Sequence, residues 1–416
     1  MKTCLVLLTK TYPFDKGEEF IEDEVPLLAK AFDRLVIAAT STSDAPEQTR
    51  SVPANATILH IPASRIKRAL PGAALSYLPF TNCRGYAGPE ERAAVKGSLK
   101  RRGFLTYFLA KSEAVYRAVA EKLADCNLEQ YDGVTFYSYW FYDIALAVVR
   151  LRDHCGAKAK RAVSRAHRYD LYADRNATGY LPLRPYLLEH LDRVYPCSAN
   201  GSNLLKKSYP AYQTKVETAY LGTRDFGLSP EPQGDELHIV SCCHISPVKR
   251  VELLAQALSL LEDSGLKLHW THFGGGDGLD ALKAYAKEHL SFMDCQLAGP
   301  IQNEALMRYY QQHPADLFVN TSSSEGLPVS IMEACSFGIP AIATDVGGTS
   351  EIVQDGKTGF LLPMEFAPNV LAEQIVAFSR LPQEQRQALR ADCRKVWEEQ
   401  FFGERNFTRF AEAIRP

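Results

Sequence analysis

The chain has 416 residues, of which 46% are hydrophobic and 23% are charged, and its formal net charge at pH 7 is −2. This composition is that of a globular protein, and no stretch approaches the roughly 18 continuous apolar residues that a membrane-spanning helix needs. The length predicts two domains, and since no nucleic-acid-binding module is recognisable, nucleic acid is not an expected partner.

The first predicted elements are a strand, a helix and a second strand, over residues 4–8, 18–32 and 35–39. Continuous apolar runs separated by amphipathic helices are typical of a parallel sheet covered on both faces. The opening apolar run is shorter than the core of a secretory signal, so we interpret it as a first buried strand. Gly17 lies in the loop before the first helix, where the main chain can approach a bound ligand closely.

A basic segment covers residues 61–112, where ten Lys or Arg residues face only two acids, Glu90 and Glu91, for a net charge of about +8. Leu, Tyr, Phe and Ala residues interleave with these charges, as in a segment that lies on an anionic membrane surface. A solvated, mobile face is the alternative. The ten basic residues are Arg65, Lys67, Arg68, Arg84, Arg92, Lys96, Lys100, Arg101, Arg102 and Lys111.

The segment Ser164–Asp170 follows a predicted strand and places His167 and Asp170 three residues apart. A lone histidine is more often structural than functional. Here the polar neighbours Arg165 and Arg168 favour a functional site at the end of the strand.

The second half repeats the alternation, with a strand at residues 238–243, a helix at 251–261 and a strand at 268–273. Two prolines and two glycines within 227–234 predict the break between the halves. We therefore expect two doubly wound, Rossmann-like α/β domains that face each other across a cleft, with ligands at the carboxyl ends of the strands. The predicted limits are residues 1–226, residues 227–398 and a helix over residues 399–416 that returns to the first domain.

The loop that ends in Lys249 and Arg250 joins a buried strand to a helix. Cations held in a dry loop can stabilise negative charge that develops on a leaving diphosphate. Gly274 and Gly275 form a second strand-to-helix loop, where the main chain can approach a nucleotide. Ile301 closes the next element and can present main-chain groups to a base.

The most informative stretch is residues 316–362, which predicts a strand over 317–320, a polar loop, a helix and a strand over 341–344. Pro328 suits the first turn of the helix, whose positive end is a natural anion site. Glu325 in the loop and Glu333 in the helix can each accept hydrogen bonds from two hydroxyls, so Glu325 suits a sugar and Glu333 a ribose diol. The alternative is that both merely complement the helix dipole and face solvent.

Metal and disulfide chemistry are not expected. The ten cysteines include no Cys-x-x-Cys pair, which fits buried thiols in a reducing cytoplasm, and the chain has no Asp-x-Asp motif. We expect no metal and no cofactor, with Lys249, Arg250 and the helix end taking the place of a cation.

These motifs resemble those of the family 4 retaining glycosyltransferases of GT-B architecture. The match is dense from residue 238 to about 362, and the N-terminal match rests on His167, Asp170, Trp140 and the Gly17-Glu18 loop. Its C-terminal landmarks are Lys249, the glycine loop at Gly274, Glu325, Gly326, Leu327, Pro328, Glu333 and the Gly347-Gly348 pair.

The resemblance implies that a nucleoside-diphosphate sugar, UDP- or GDP-linked, is the donor. It implies that Glu325 contacts the donor sugar, Glu333 the ribose, Lys249 the diphosphate and His167 the reacting sugar. Gly326, Leu327 and Pro328 would complete the donor site, while Trp140 and Asp170 would lie on the acceptor side. His244 stands where many relatives have arginine. Either diphosphate stabilisation rests on Lys249 and Arg250, or His244 contributes charge only when protonated.

Three functions follow from this resemblance. The first is retaining transfer of a hexose-type sugar to a saccharide acceptor, lipid-linked at the cytoplasmic membrane surface, in capsule, lipopolysaccharide or other cell-surface polysaccharide assembly. The alternatives are a catalytically silent subunit that binds a nucleotide sugar, and a sugar-nucleotide epimerase.

Overall fold

The computed structural model describes residues 1–77, 82–157 and 159–416, except for the side chains of residues 82, 84, 159 and 175. The chain forms two compact units. The first comprises Met1–Tyr220 together with Gly403–Pro416, and the second comprises Leu221–Phe402. The domain limits expected at residues 226 and 398 stay predictions, because compactness alone does not define where a chain hinges.

The first unit is built on a six-stranded parallel sheet of order β3-β2-β1-β4-β5-β6. The strands are β1 (Thr3–Thr9), β2 (Arg34–Thr42), β3 (Ala56–Pro62), β4 (Gly133–Ser138), β5 (Ala159–Ala166) and β6 (Arg193–Pro196). The helices are α1 (Val25–Ala31), α2 (Ala63–Leu75), α3 (Pro89–Val95), α4 (Leu99–Leu123), α5 (Asp143–His154), α6 (Arg168–Leu171), α7 (Arg184–His190) and α8 (Ala199–Ser208).

The second unit repeats this plan with a six-stranded parallel sheet of order β12-β11-β10-β7-β8-β9. Its strands are β7 (Glu236–Cys242), β8 (Lys267–Phe273), β9 (Asp294–Gly299), β10 (Leu317–Asn320), β11 (Ala341–Thr344) and β12 (Gly359–Leu362). The helices that follow are α9 (Val251–Ser259), α10 (Leu279–His289), α11 (Asn303–Gln312), α12 (Val329–Ser336), α13 (Thr349–Ile352), α14 (Pro368–Ser379) and α15 (Gln383–Val396), and α16 (Gly403–Ala413) lies in the first unit.

Two doubly wound parallel sheets confirm the predicted fold class, and β10 and β11 have the predicted limits. The helix predicted over residues 18–32 is wrong in its first half, because only a 3-10 turn at Glu19–Ile21 precedes α1. Glu18 is left-handed, with φ 58°, and Pro26 lies in the first turn of α1. Proline lacks an N–H and fits only the start of a helix, so it fixes the start of α1.

The C-terminal helix α16 packs against α1 within the first unit, as predicted for the returning tail. Phe410 and Ile414 enter the core beside Leu28, and the Thr135 Oγ1 hydroxyl donates to the Ile414 carbonyl at 2.7 Å. Trp397, before this helix, is instead buried in the second unit and donates to Thr223 Oγ1 at 2.7 Å.

A buried ion pair fastens α1 to the first sheet. Arg165 Nε on β5 contacts Glu24 Oε2 at 2.9 Å, and both side chains are fully buried. Tyr137 donates to the other Glu24 oxygen at 2.7 Å, and the Arg165 guanidinium lies 4.0 Å from the ring centre of Phe410. Arg165 therefore belongs to the core under α1 and α16, where it pairs with Glu24.

Glu24→Leu should destabilise the protein by about 3–5 kcal/mol, because Arg165 would keep a buried charge without its partner. Urea unfolding measures the loss. Glu217→Leu, which removes a half-exposed partner of Arg193, is the matched control and should change stability by no more than about 0.5 kcal/mol. Equal losses in the two variants would contradict the role given to the buried pair.

Candidate functional site

Lys249 and Glu325 meet at the carboxyl ends of β7 and β10. The Lys249 Nζ amine donates to Glu325 Oε1 at 2.6 Å, and Asn320 Nδ2 lies 3.4 Å from the same oxygen. Glu325 is buried, with 8% of its surface exposed, so it does not simply face solvent. Two loops predicted separately from the sequence thus bring a cation and a carboxylate together.

The two loops are tied to each other by main-chain contacts. Thr321 Oγ1 donates to the Lys249 and Arg250 carbonyls at 3.0 and 2.8 Å, and the Ser323 N–H donates to the Val248 carbonyl at 2.8 Å. These bonds fix the main chain from which Lys249 extends, so its charge is held near the end of β10.

Gly347 supports the Glu325 loop from the far side. Its φ is 59°, and a Cβ atom there would lie 1.9 Å from the Glu325 carbonyl oxygen, so only glycine fits. The Gly348 N–H donates to the Gly326 carbonyl at 2.7 Å. The double glycine was recognised in the sequence as part of a motif, and the structure shows that it positions Glu325.

Glu333 lies within α12 and is also buried, at 8% exposure. Its Oε1 accepts a hydrogen bond from Asn303 Nδ2 at 2.6 Å, at the start of α11. Sequence reasoning missed Asn303, because nothing in the local pattern indicates that the two helices meet. Pro328 caps α12, and the buried Leu327 precedes it. The first N–H groups of α12 have no partner within the helix, which leaves a place for an anion.

The Gly274-Gly275 loop is glycine-rich for a structural reason. Gly274 has φ 144°, and a Cβ atom there would lie 1.8 Å from the Cys243 carbonyl oxygen. The Ile245 N–H donates to the Gly275 carbonyl at 2.7 Å. These glycines let the loops after β7 and β8 lie against each other. Contact with a nucleotide stays a prediction for them, as it does for the exposed residues His244 and Ile301.

Arg250 is occupied by main-chain oxygens. Its Nε donates to the Thr321 carbonyl at 2.8 Å and its Nη2 to the Met364 carbonyl at 2.7 Å. Because a guanidinium has five N–H donors, some capacity remains, but these two bonds give Arg250 a positioning role in the loop. Its predicted contact with a diphosphate stays a prediction.

In the first unit, the Glu18 carboxylate occupies the loop after β1. It accepts hydrogen bonds from the main-chain N–H groups of Lys10, Thr11 and Tyr12 at 2.7–3.1 Å, and from Trp140 Nε1 at 2.5 Å. An anion-binding turn of this kind usually receives a phosphate. Here a side chain of the protein fills it. Sequence reasoning singled out Gly17 in this loop and missed the role of Glu18.

His167 lies beside Glu18's partner Trp140 in an aromatic enclosure. Ring centres of Phe20, Tyr139 and Trp140 are 5.6, 4.9 and 4.9 Å away. His167 is 7% exposed and is the N-cap residue of α6, where its side chain faces the main-chain N–H of Asp170. Burial, with the positive charges of Arg165 and Lys10, lowers the pKa of His167 to about 3, so the ring is neutral at physiological pH.

Asp170 is fully buried and joins two loops. Its carboxylate accepts from the His167 N–H at 2.5 Å and from the Phe141 N–H at 2.6 Å. Burial raises the pKa of Asp170 to about 6, although Arg184 and the two N–H groups act in the opposite direction. The carboxylate therefore sets where His167 begins α6. The predicted acceptor contact of Asp170 stays a prediction, as does that of Trp140.

Several basic side chains of the segment 61–112 are already bound to other groups of the protein. Arg65 and Lys111 form ion pairs with Glu121 and Asp143, while Lys100, Arg101 and Arg102 donate to main-chain oxygens. The Arg84 side chain lies outside the described residues. The exposed remainder is Lys67, Arg68, Arg92 and Lys96.

Within the described part of the chain, no group of three His, Cys, Asp or Glu side chains is gathered to hold a metal ion. A search of the same residues finds no helix with the length and apolar character to cross a bilayer. All ten cysteines are free thiols.

Two doubly wound sheets, with a lysine-carboxylate pair at the strand ends of the second, define the class of the protein as GT-B. Residues 229–396, about two fifths of the chain, match the family described as "Glycosyl transferases group 1". This match agrees with the resemblance found from the motifs in the same part of the sequence.

Individual proteins agree with this class. The putative colanic acid biosynthesis glycosyltransferase WcaL of Escherichia coli is 25% identical over 224 residues, which cover 52% of this chain and 54% of the relative. The chain thus spans about half the length of the curated relatives it matches.

Solved structures support the fold over nearly the whole chain. The lipopolysaccharide outer core galactosyltransferase WaaB, in its apo form, is 14% identical with a TM-score of 0.68 and covers 99% of both chains. Anabaena HepE in complex with UDP and glucose is 15% identical with a TM-score of 0.63, and covers 99% of this chain and 98% of its own. At such identities the likeness shows the fold alone.

The state of His167 makes stability depend on pH. Between pH 6.5 and 3 the unfolded chain binds a proton at His167 that the folded protein does not, so stability falls as the pH is lowered through this range. When the pH is lowered from 7.5 to 5.0, the free energy of unfolding should fall by about 2 kcal/mol less in His167→Phe than in the natural protein. Urea unfolding at both values measures this difference. The exposed His154→Phe is the control, and an equal pH response in all three proteins would contradict a buried neutral His167.

Proposed function

We propose that the protein is a retaining, metal-independent glycosyltransferase that moves a hexose-type sugar from a nucleoside-diphosphate sugar to a saccharide acceptor. The observation that carries this proposal is the Lys249–Glu325 contact of 2.6 Å at the ends of β7 and β10, beside the start of α12. A cation, a carboxylate and a helix end are there held by neighbouring loops of one sheet, where ligands of such sheets bind.

Each group has a distinct task in this proposal. Glu325 accepts hydrogen bonds from hydroxyls of the transferred sugar, and Glu333, oriented by Asn303, accepts those of the ribose. Lys249 has three N–H donors, of which Glu325 engages one, so two can reach the diphosphate. The first N–H groups of α12 add a second source of positive potential.

The transfer step follows from the chemistry of the leaving group. The acceptor hydroxyl oxygen forms a bond to the anomeric carbon on the face from which the diphosphate departs, while the bond from that carbon to the phosphate oxygen breaks. The acceptor proton passes to the departing phosphate oxygen. Negative charge therefore grows on the diphosphate, where Lys249 acts, and no separate carboxylate nucleophile is required.

His167 is assigned to the reacting sugar through the family resemblance. Its neutral ring can accept one hydrogen bond and donate another without placing a charge beside the sugar. Its place in an aromatic enclosure at the end of β5, where ligands of such sheets bind, supports this role. Trp140 and Asp170 hold the surrounding loops in place.

The donor and acceptor are proposed from the relatives. HepE is described with UDP and glucose, which favours a UDP-linked hexose over a GDP-linked one. WcaL and WaaB are named for colanic acid and lipopolysaccharide, which favours a lipid-linked saccharide acceptor at the inner face of the cytoplasmic membrane. The exposed cations of the basic segment would contact anionic headgroups there.

Two alternatives to a transferase remain: a catalytically silent subunit that binds a nucleotide sugar, and a sugar-nucleotide epimerase. Hydrolysis of a panel of UDP- and GDP-sugars, followed by NMR without acceptor, separates all three. A transferase releases free sugar slowly, an epimerase converts one nucleotide sugar into another, and a silent subunit does neither.

Lys249→Ala should lower donor turnover by about 100- to 1000-fold, because a charge-stabilising donor is lost from the transition state. Hydrolysis or transfer of the best donor in the panel is the measurement. Lys267→Ala, which removes an exposed partner of Asp235 in the same unit, is the matched control and should keep full activity. Near-normal turnover in the Lys249 variant would sink the assignment.

Flotation with anionic vesicles tests the membrane contact. The protein should float with phosphatidylglycerol vesicles at low salt and be released at about 0.3 M salt, since exposed charges are screened. Arg92→Ala with Lys96→Ala should weaken flotation by about 10-fold or more, at about 1 kcal/mol per basic residue. Lys283→Ala with Lys287→Ala, an exposed pair of the same spacing on α10, should not. Protein that stays in the soluble fraction at low salt would count against the contact.

A further inference from the structure

A cavity of about 460 Å³ lies wholly within the first unit. None of the residues assigned above to the donor or to the reacting sugar lines it. It opens to solvent and is lined by α3, the start of α4, the segment that links α6 to α7, and α8. Pockets for small ligands span about 300–1000 Å³, so this volume suits a small organic molecule.

The wall of the cavity combines aromatic rings with aliphatic side chains. Tyr180 and Tyr209 line it together with Leu171 and Leu205. Tyrosine rings offer flat apolar faces with a polar tip, and the C–H face of a sugar ring packs on such a surface while its hydroxyls reach the tips.

Two buried polar atoms in the wall lack partners. Glu91 is 4% exposed, and while its Oε2 accepts from the Leu183 N–H at 3.0 Å, its Oε1 has no partner in the described part of the chain. The hydroxyl of Tyr180, which is 6% exposed, also lacks a partner there. Burial raises the pKa of Glu91 to about 7. Both atoms are closed off from the cavity in this structure, so a ligand with hydroxyl groups would pair with them only after the Glu91 carboxyl and the Tyr180 ring turn toward it.

The charges of the wall argue against a phosphate. Glu90, Glu91 and Asp174 contribute carboxylates. Arg101 and Arg184 also line the cavity, but both guanidinium groups already donate to main-chain oxygens. Two guanidinium groups thus face three carboxylates, and Asp174 is also paired with Arg168, so the wall offers a phosphate no excess of positive charge. A neutral polyhydroxylated ligand does not need one.

The cavity adjoins the loops around His167. Leu171 is the last residue of α6, which begins directly after His167, and Arg184 donates to the carbonyls of Asp170 and Phe141. A ligand that packs on Leu171 and Arg184 would therefore rest on the same short helix that Asp170 positions.

We propose that this cavity binds a neutral sugar residue of the acceptor, other than the residue that receives the transferred sugar. That the bound sugar belongs to an acceptor rests on the proposed function. That the cavity binds a sugar at all rests on the cavity's own residues. If the cavity binds such a residue, the enzyme selects acceptors by their length. An acceptor of one sugar residue could not fill the cavity and also present the hydroxyl that reacts.

Saturation-transfer NMR with lactose, cellobiose, maltose and melibiose, without a donor, tests the site. These disaccharides present glucose and galactose in both anomeric linkages. Ala94→Phe fills the cavity, and Ala93→Phe adds the same ring to the exposed neighbour on α3. We expect one or more disaccharides to bind the natural protein and Ala93→Phe alike, and Ala94→Phe to bind at least about 10-fold more weakly.

Tyr180→Phe provides a second variant that keeps the ring and removes only the hydroxyl, so it remains informative where Ala94→Phe folds poorly. Its affinity should fall by about 3- to 10-fold, as for one lost hydrogen bond. Equal binding by the natural protein and both cavity variants would overturn the proposal, as would the absence of binding to all four disaccharides.

Donor hydrolysis, measured on the same proteins, distinguishes the two proposals. Hydrolysis by the natural protein with no disaccharide binding would leave the transferase function standing and remove the cavity site. Disaccharide binding that Ala94→Phe abolishes, in a protein that hydrolyses no nucleotide sugar, would establish a sugar site and overturn its role as part of an acceptor site.

Discussion

The contact between Lys249 and Glu325 is the constraint on which the second unit is organised. Two opposite charges in a largely buried place are stable only where the main chain holds them at hydrogen-bond distance. That requirement accounts for several otherwise unrelated features: the Thr321 hydroxyl on the Lys249 carbonyl, the Arg250 guanidinium on the ends of two loops, and the glycine at 347 against the Glu325 carbonyl. Each of these contacts restricts a motion by which the two side chains could separate. The charges are therefore preorganised, and a preorganised site needs little reorganisation at the moment of reaction.

In the first unit, the turn at the end of β1 is held by a carboxylate of the protein itself. The turn after β1, which in many sheets of this kind is left open for phosphate, is filled by Glu18. The carboxylate fixes Trp140, and Trp140 with two other rings encloses a neutral His167. A cation is thus held at the strand ends of the second unit, while His167 at the strand ends of the first unit is a neutral ring enclosed by aromatic side chains. In the proposed function, this difference suits a charged donor and an uncharged glycan acceptor.

Much of this could be predicted from the sequence, for reasons that particular residues make plain. Strands such as β10 and β11 are short continuous apolar runs bounded by polar loops, and their limits follow directly. Lys249, Glu325 and Glu333 could be singled out because they follow buried strands at the edge where ligands bind. What could not be predicted depends on side-chain direction and distant contacts. The return of Glu18 onto its own turn shortened the first helix, Arg250 turned to carbonyl oxygens, and Asn303 met Glu333 from another helix. The cavity at Tyr180 left no local pattern at all, since its wall is assembled from segments more than a hundred residues apart.

The position of α16 has a consequence for how the protein is made. The second unit contains all of its strands and helices once residue 402 has been synthesised, but the first unit still lacks the helix that covers α1. Until residues 403–413 leave the ribosome, the apolar face that receives Phe410 and the buried charge of Arg165 beneath it have no cover. Domains usually fold in the order in which they are translated. Here the order is reversed at the last step, because the unit that is begun first is completed by the helix that is made last.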